Sequence, residues 1–184
     1  MFSANFRFPS GKIDINYPSG YKNMIERGLD IKPMMIEIEE SKTENNILRN
    51  SLLANSIAIL SENSDAEYPQ KIFEIGRVFS LEGGKVKETE NLAVAISPGN
   101  FTDIRQNLEC LSRNADFEIK LKETDEKNFP PYFVEGRVAE ILFENKKIGF
   151  IGEIHPKILS SWKIKMPVSI FEINLEEIFE KIPS

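Results

Sequence analysis

Cysteine and histidine are nearly absent, with Cys110 and His155 each standing alone among 184 residues. One thiol excludes both a disulfide framework and a cysteine metal site within one chain, and it fits a reducing compartment. One imidazole leaves no second histidine for a triad, a metal pair or a proton shuttle. Basic charge is also short, at 23 Lys and Arg against 29 Asp and Glu, a formal net charge of −6. Free-standing nucleic-acid modules neutralise phosphates with clustered cations, so any RNA contact here should be local or shared with a partner. No apolar run approaches the roughly 20 residues that cross a bilayer. The amino terminus, MFSANFRFPSGK, lacks the continuous apolar core of a signal peptide. A cytoplasmic chain with no membrane contact is expected.

What is present suffices for one substantial core. At 41% hydrophobic content, residues 1–184 read as a single domain. Residues 71–80, KIFEIGRVFS, alternate as a strand, with Ile72, Glu74, Gly76, Val78 and Ser80 on one face and Phe73, Ile75, Arg77 and Phe79 on the other. Apolar side chains on both faces predict an inner strand. Gly76 leaves room for something to approach closely, and Arg77 needs a partner, for which a carboxylate such as that of Glu74 is the simplest choice.

Around this strand the pattern gives an order of elements. Residues 1–20 are broken by Pro9, Gly11, Pro18 and Gly20 and read as extended structure and turns. A short helix is expected over 21–29 and a strand over 34–39, followed by a helix in which Leu48, Leu52, Ser56, Ile59 and Leu60 share a face. Gly83-Gly84 reads as a hairpin turn into a strand at 91–97. Helical spacing returns over 102–113, then a strand over 117–121 and a charged loop over 122–127. Two strands joined at Glu144-Asn145-Lys146 form a second hairpin, and His155-Pro156 opens a short helix to about Trp162, with Pro156 suited to the first helical position. A strand over 166–174 and a helix over 175–181 close the chain. The sum is an α+β domain, an antiparallel sheet flanked by helices.

Three segments carry a resemblance: ILRNSLL at 47–53, PQKIFEIGRVFS at 69–80 and VEGRVAEILFENKKIGFIGEIHPKIL at 134–159. In order and separation they resemble the catalytic-like domain of the phenylalanyl-tRNA synthetase beta subunit, in its archaeal and eukaryotic form, over residues 20–180. The resemblance implies the fold of class II aminoacyl-tRNA synthetases. It also implies a partner, the alpha subunit, which activates phenylalanine with ATP in a heterotetramer of two alpha and two beta chains. Where the family usually has Pro-Gly after the SLL, Ala54 and Asn55 stand here and should ease the helix start. Residues 1–20 do not share the likeness. Whole beta subunits are much longer and include an editing module upstream, so the chain resembles the C-terminal domain alone, either cut from a longer protein or separately encoded.

Catalytic class II domains grip ATP and the amino-acid carboxylate with an Arg at a strand end and a Glu two positions on. Placed on that pattern, the Arg position is Ser80 and the Glu position Glu82. A planar, permanently charged fork bridges carboxylate and phosphate oxygens; a hydroxyl cannot. In the second pattern, a Gly-rich strand leading into a helix with an Arg, Asn174 and Glu176 fall on the glycines and Phe179 on the arginine. Side chains there fill space meant for adenine, and Glu176 adds negative charge where a polyanion would sit. Losing two charge stabilisers at ~3 kcal/mol each would lower the rate by ~10⁴ if additive. The expectation is no catalytic residue and no bound cofactor in this chain, with ATP and Mg²⁺ confined to the alpha subunit or the assembled enzyme.

Other singled-out residues read as structural. His155 suits a cap or turn; Glu135, Arg137 and Glu140, beside Gly136, suit ion pairs on a solvated or partner-facing sheet surface. Gly83-Gly84 lacks the Lys-Ser or Lys-Thr of a phosphate loop. The stretch FPPYF at 129–133 suits either a partner-binding edge or packing beneath the sheet. The functional expectation is an assembly domain that supports the alpha subunit and helps position tRNA, with homodimerisation of the isolated chain through any exposed apolar surface. Two alternatives stand beside it: a stand-alone ligand-binding or regulatory module, and a self-sufficient adenylating enzyme.

Overall fold

The computed structural model describes residues 36–37, 47–124 and 129–180. The helix expected over 21–29 and most of the strand expected over 34–39 lie outside these residues. A two-stranded pair, β1 (Ile36–Glu37) and β2 (Ile47–Leu48), precedes helix α1 (Leu53–Glu62). Two 13-residue strands follow, β3 (Gln70–Glu82) and β4 (Lys85–Ser97), then α2 (Phe101–Asn114) and β5 (Ile119–Glu123). The chain continues through β6 (Phe133–Phe143), β7 (Lys146–Ile154), α3 (Pro156–Ser161), β8 (Ser169–Asn174) and α4 (Glu176–Phe179). The main sheet has six antiparallel strands in the order β3-β4-β8-β7-β6-β5.

Both tight turns follow from local chemistry. Gly83 and Gly84 adopt φ of 58° and 78°, the left-handed pair that a two-residue hairpin requires. Glu144 and Asn145 do the same at 47° and 65° in the β6–β7 hairpin.

The sheet buries both faces over its centre. On one face, α1 and α3 pack Leu53, Ile57, Leu60, Ile158 and Trp162 against Ile72, Val138 and Ile170. On the other, α2 sets Ile104 and Leu108 against Leu92, Ile151, Phe171 and Ile173. Strand β8 serves both layers by simple alternation, Ile170 toward α1 and Phe171 and Ile173 toward α2. The FPPYF stretch packs inward: Phe133 is buried, and Phe129 and Tyr132 lean on the α1 layer.

Two expectations are corrected. Strand β3 is an edge strand, not an inner one. Its Ile72 and Val78 face is buried, but α2 lies over β4, β8 and β7, so Phe73 and Ile75 on the opposite face remain 73% and 55% exposed. The helix begins at Leu53 rather than near Leu48. Residues 49–52 stay outside the helix because their polar groups reach across the sheet, as described below.

Gly149 sets the closeness of β7 to β8. A Cβ there would strike the Glu172 carbonyl oxygen, which cannot withdraw without breaking the strand pairing. Gly149→Ala should therefore destabilise the fold by about 2–3 kcal/mol, read as a lowered urea midpoint at unchanged slope.

Candidate functional site

The polar groups of one sheet face converge beneath residues 49–53. Register places Glu74, Ala93 and Glu172 in one row across β3, β4 and β8, and Gly76, Asn91 and Asn174 in the next. The small residues Gly76 and Ala93 leave a shallow trough. Residues 49–53 lie in it.

Arg49 is 3% exposed, and its guanidinium occupies the space that a side chain at Gly76 would need. Its Nη1 donates to Glu74 Oε1 at 2.5 Å, and its Nε donates to the carbonyl of Arg77 at 2.7 Å. The Arg49 carbonyl in turn accepts from the Phe79 N–H at 2.8 Å, which fastens the segment to the outer edge of β3. Glu74 is thus the partner of Arg49. Arg77 points to the other face and pairs with Glu88 at 2.7 Å on the surface, so its carboxylate is found across the hairpin and not at Glu74.

Two residues on, Glu172 holds the same segment. Its carboxylate accepts from Ser51 Oγ at 2.6 Å, from the Leu52 N–H at 3.1 and 3.2 Å, and from Asn91 Nδ2 at 2.7 Å. Desolvation raises the Glu172 pKa, and the hydrogen bonds from Ser51, Asn91 and the backbone of Leu52 and Leu53 pull it back down without cancelling the rise. Tyr132 is pushed far above the ordinary phenol range, first by burial and then by the Glu172 charge, so its hydroxyl stays protonated at any working pH. Leu52, fully buried, then packs with Val78 and Ala93. The network uses the Arg49 and Glu172 charges to hold a segment of the same chain, leaving no space at Gly76 for a reacting group.

The positions equated with an ATP site are dispersed. Ser80 sits opposite Lys87, four residues beyond Gly76 toward the hairpin tip, where β8 no longer runs alongside. Glu82 is exposed and pairs with Lys87 at 3.2 Å. Asn174 Oδ1 accepts from the Glu176 N–H at 2.9 Å at the start of α4, and Phe179 at its end is 61% exposed. Asn174, Glu176 and Phe179 therefore share the β8–α4 corner, while Ser80 and Glu82 lie out on the hairpin. His155 caps α3, its Nδ1 accepting from the Lys157 N–H at 3.1 Å, with Pro156 at the first helical position. Gly136 takes φ of 73° at an irregularity in β6, and its neighbour Arg137 pairs with Glu153 at 2.7 Å. Glu140 accepts from Lys147 at 3.3 Å.

Sequence reasoning missed Arg49, Ser51, Asn91 and Glu172. The signal for Glu172 was one carboxylate alternating into an otherwise apolar strand, SIFEIN; the signal for Arg49 was a strand glycine with nothing assigned to its space.

The segment that carries this network, RNSLL, lies within residues 28–175, which match the family model described as the phenylalanyl tRNA synthetase beta chain CLM domain. The chain belongs to that family. It is 34% identical over 175 residues to the phenylalanine–tRNA ligase beta subunit of Thermococcus gammatolerans, covering 92% of this chain and 29% of that protein. Against the Archaeoglobus fulgidus beta subunit the identity is 35% over 162 residues, covering 87% of this chain and 28% of the relative. The chain thus spans less than a third of the length of these beta-subunit relatives. In three dimensions it is similar to a pyrrolysyl-tRNA synthetase of Desulfitobacterium hafniense, with a TM-score of 0.65 at 14% identity over 92% of this chain and 60% of that one. At that identity the likeness shows a shared synthetase fold, an antiparallel sheet with helices on it. Among the described residues of this beta-chain domain, no helix is long and apolar enough to cross a membrane and no metal-binding group of acidic, histidine and cysteine side chains occurs.

Two measurements test the network. Glu172→Ala strands the donors of Ser51, Leu52 and Asn91 and should cost about 3 kcal/mol. Because the folded-state pKa of Glu172 is raised, folding favours its protonated form, and that contribution is lost as pH rises from the ordinary carboxylate value of about 4.3 through the folded pKa. Urea titrations should therefore show the stability of the wild type falling relative to Glu172→Gln over that rise. Gly76→Ala expels the Arg49 guanidinium and should cost about 3 kcal/mol; adding it to Arg49→Ala should cost far less than the sum, so a double-mutant cycle that came out additive would contradict the contact.

Proposed function

We propose that this chain is a non-catalytic assembly domain of a phenylalanine–tRNA ligase beta subunit, built on the class II synthetase scaffold and docked to the alpha subunit of a heterotetramer. The alpha subunit would supply ATP, Mg²⁺ and phenylalanine chemistry, with tRNA reaching this domain through the assembly.

The observation that supports this reading most is the occupied trough on the sheet. In the resemblance to catalytic domains, β3 is the strand that grips ATP. Here Arg49 lies over Gly76 on that strand, and Ser51 and Leu52 are held down by Glu172. Ser80 and Phe179 at the two arginine positions agree with it, since neither carries a charge to meet phosphate. A structural tie is also consistent with the family membership and with the relatives, each named a beta subunit of a ligase.

Size-exclusion chromatography of the folded chain mixed with a matching alpha subunit should give a co-eluting complex. The chain alone should give a flat trace in phenylalanine-dependent ATP–pyrophosphate exchange. Measurable exchange by the isolated chain would favour the adenylating-enzyme alternative, and separate elution of two folded chains would remove the assembly role.

A further inference from the structure

The outer edge of β3 is divided in two by Arg49. Residues 71, 73, 75, 77 and 79 turn their backbone groups away from β4, as the Phe79 N–H to Arg49 carbonyl bond shows in an unbroken register. At Arg77 and Phe79 these groups are engaged by Arg49. From Lys71 to Ile75 no described residue bonds the outward groups.

On the α2 face of this stretch Phe73 and Ile75 form an exposed apolar strip. Phe73 and Ile75 continue the rows Val94–Phe171 and Leu92–Ile173 of the α2 face out to the edge, past the cover of α2. Lys71, at the end of the strip, has no salt-bridge partner among the described residues. Beside it a cleft of about 250 Å³ is lined by Pro69, Lys71, Ile96, Pro98, Asp103 and Gln106. An exposed edge whose amides are unpaired among the described residues, with two large apolar side chains on one face and a cation at its end, is the chemistry of strand addition.

A second copy offers Lys71 no carboxylate in either register. A two-fold axis that sets Phe73 against Ile75 of the other copy sets Glu74 against Glu74 and Lys71 against Arg77, like charges directly opposite. An axis at Phe73 leaves each Lys71 against an Ile75. The occupant with complementary chemistry is a different strand, apolar opposite Phe73 and Ile75 and acidic opposite Lys71.

We propose that the β3 edge from Lys71 to Ile75 is a β-addition site for one extended segment of the partner subunit, carrying two alternating apolar residues and an acidic one. The inference rests on the assembly role proposed above, and its length limit of about five residues comes from Arg49 closing the edge at Arg77.

The test uses the intact chain and two acetylated peptides, Val-Thr-Val-Thr-Glu and the same peptide ending in Lys, followed by amide hydrogen exchange and NMR shifts. The acidic peptide should slow exchange at Phe73 and Ile75 at least tenfold at millimolar concentration, and Lys71→Glu should reverse the preference toward the Lys peptide. Phe73→Glu with Ile75→Glu, both exposed positions, should abolish the protection and the complex with the alpha subunit while leaving the fold intact by circular dichroism. No protection by the acidic peptide, no reversal in Lys71→Glu, or amides at Phe73 and Ile75 already protected in the chain alone would overturn the site. If the wild type and the double variant bind the alpha subunit equally, the site is overturned while the assembly role stands. If neither binds, the assembly role fails, and with it the subunit docking proposed for this edge.

Discussion

The hold of two carboxylates on residues 49–53 is the interaction on which the rest of this fold depends. Glu74 takes the guanidinium of Arg49, and Glu172 takes Ser51 and the Leu52 amide. Between them they hold residues 49–52 across the sheet and outside the helix, so α1 begins at Leu53. Once begun there, its Leu53, Ile57 and Leu60 stripe falls on Ile72, Ala95 and Ile170, and the layer with α3 follows. The small side chains beneath, Gly76 and Ala93, are the geometric condition for the segment to approach so closely.

The cost of this arrangement is desolvation of charge. A carboxylate removed from water is stable only when its lone pairs are met, and Glu172 meets them with three donors from three residues, the Leu52 N–H reaching both of its oxygens. Such a network ties one particular segment to one particular register, because a one-residue slip of β8 would turn Glu172 to the α2 face among Ile104 and Leu108. Apolar packing alone would tolerate more. The polar face thus specifies the pairing of β8 with β4, while both faces bury an apolar layer.

Periodicity in the sequence made the architecture legible. The alternation in β3, β6, β7 and β8, the Gly-Gly and Glu-Asn turns and the 3.6-residue spacing of α2 each reported a local preference that the tertiary structure did not override. The edge position of β3 was not legible, because apolar residues on both faces of one strand do not say how far a helix elsewhere extends its cover. The start of α1 was misread for a related reason. Leu48 and Leu52 fit a helical face by spacing, and only the distant carboxylates of Glu74 and Glu172 explain why they are not on one. The site was legible as a gap, the room beside Gly76, but its occupant comes from 27 positions earlier in the chain and leaves no local signature.

The sign of the charge on this face bears on the non-catalytic role proposed above. A site that binds ATP needs fixed positive groups facing the phosphates. Here the cation in the trough, Arg49, is already neutralised within the chain by Glu74, and Glu172 adds a second carboxylate in the same row. Displacing residues 49–53 to admit a nucleotide would therefore bare two carboxylates toward a polyanion while also exposing Leu52. Restoring arginine at position 80 alone would not recover binding, since Ser80 lies out on the hairpin and the repulsive charge sits at Glu74 and Glu172. On the proposed reading, loss of a nucleotide site and gain of the internal tie would be physically coupled, since the same trough cannot hold both a polyanion and Arg49 with its two carboxylates. A domain that commits the trough to its own chain presents a fixed surface in place of a cleft, as the support of a neighbouring subunit proposed above would require.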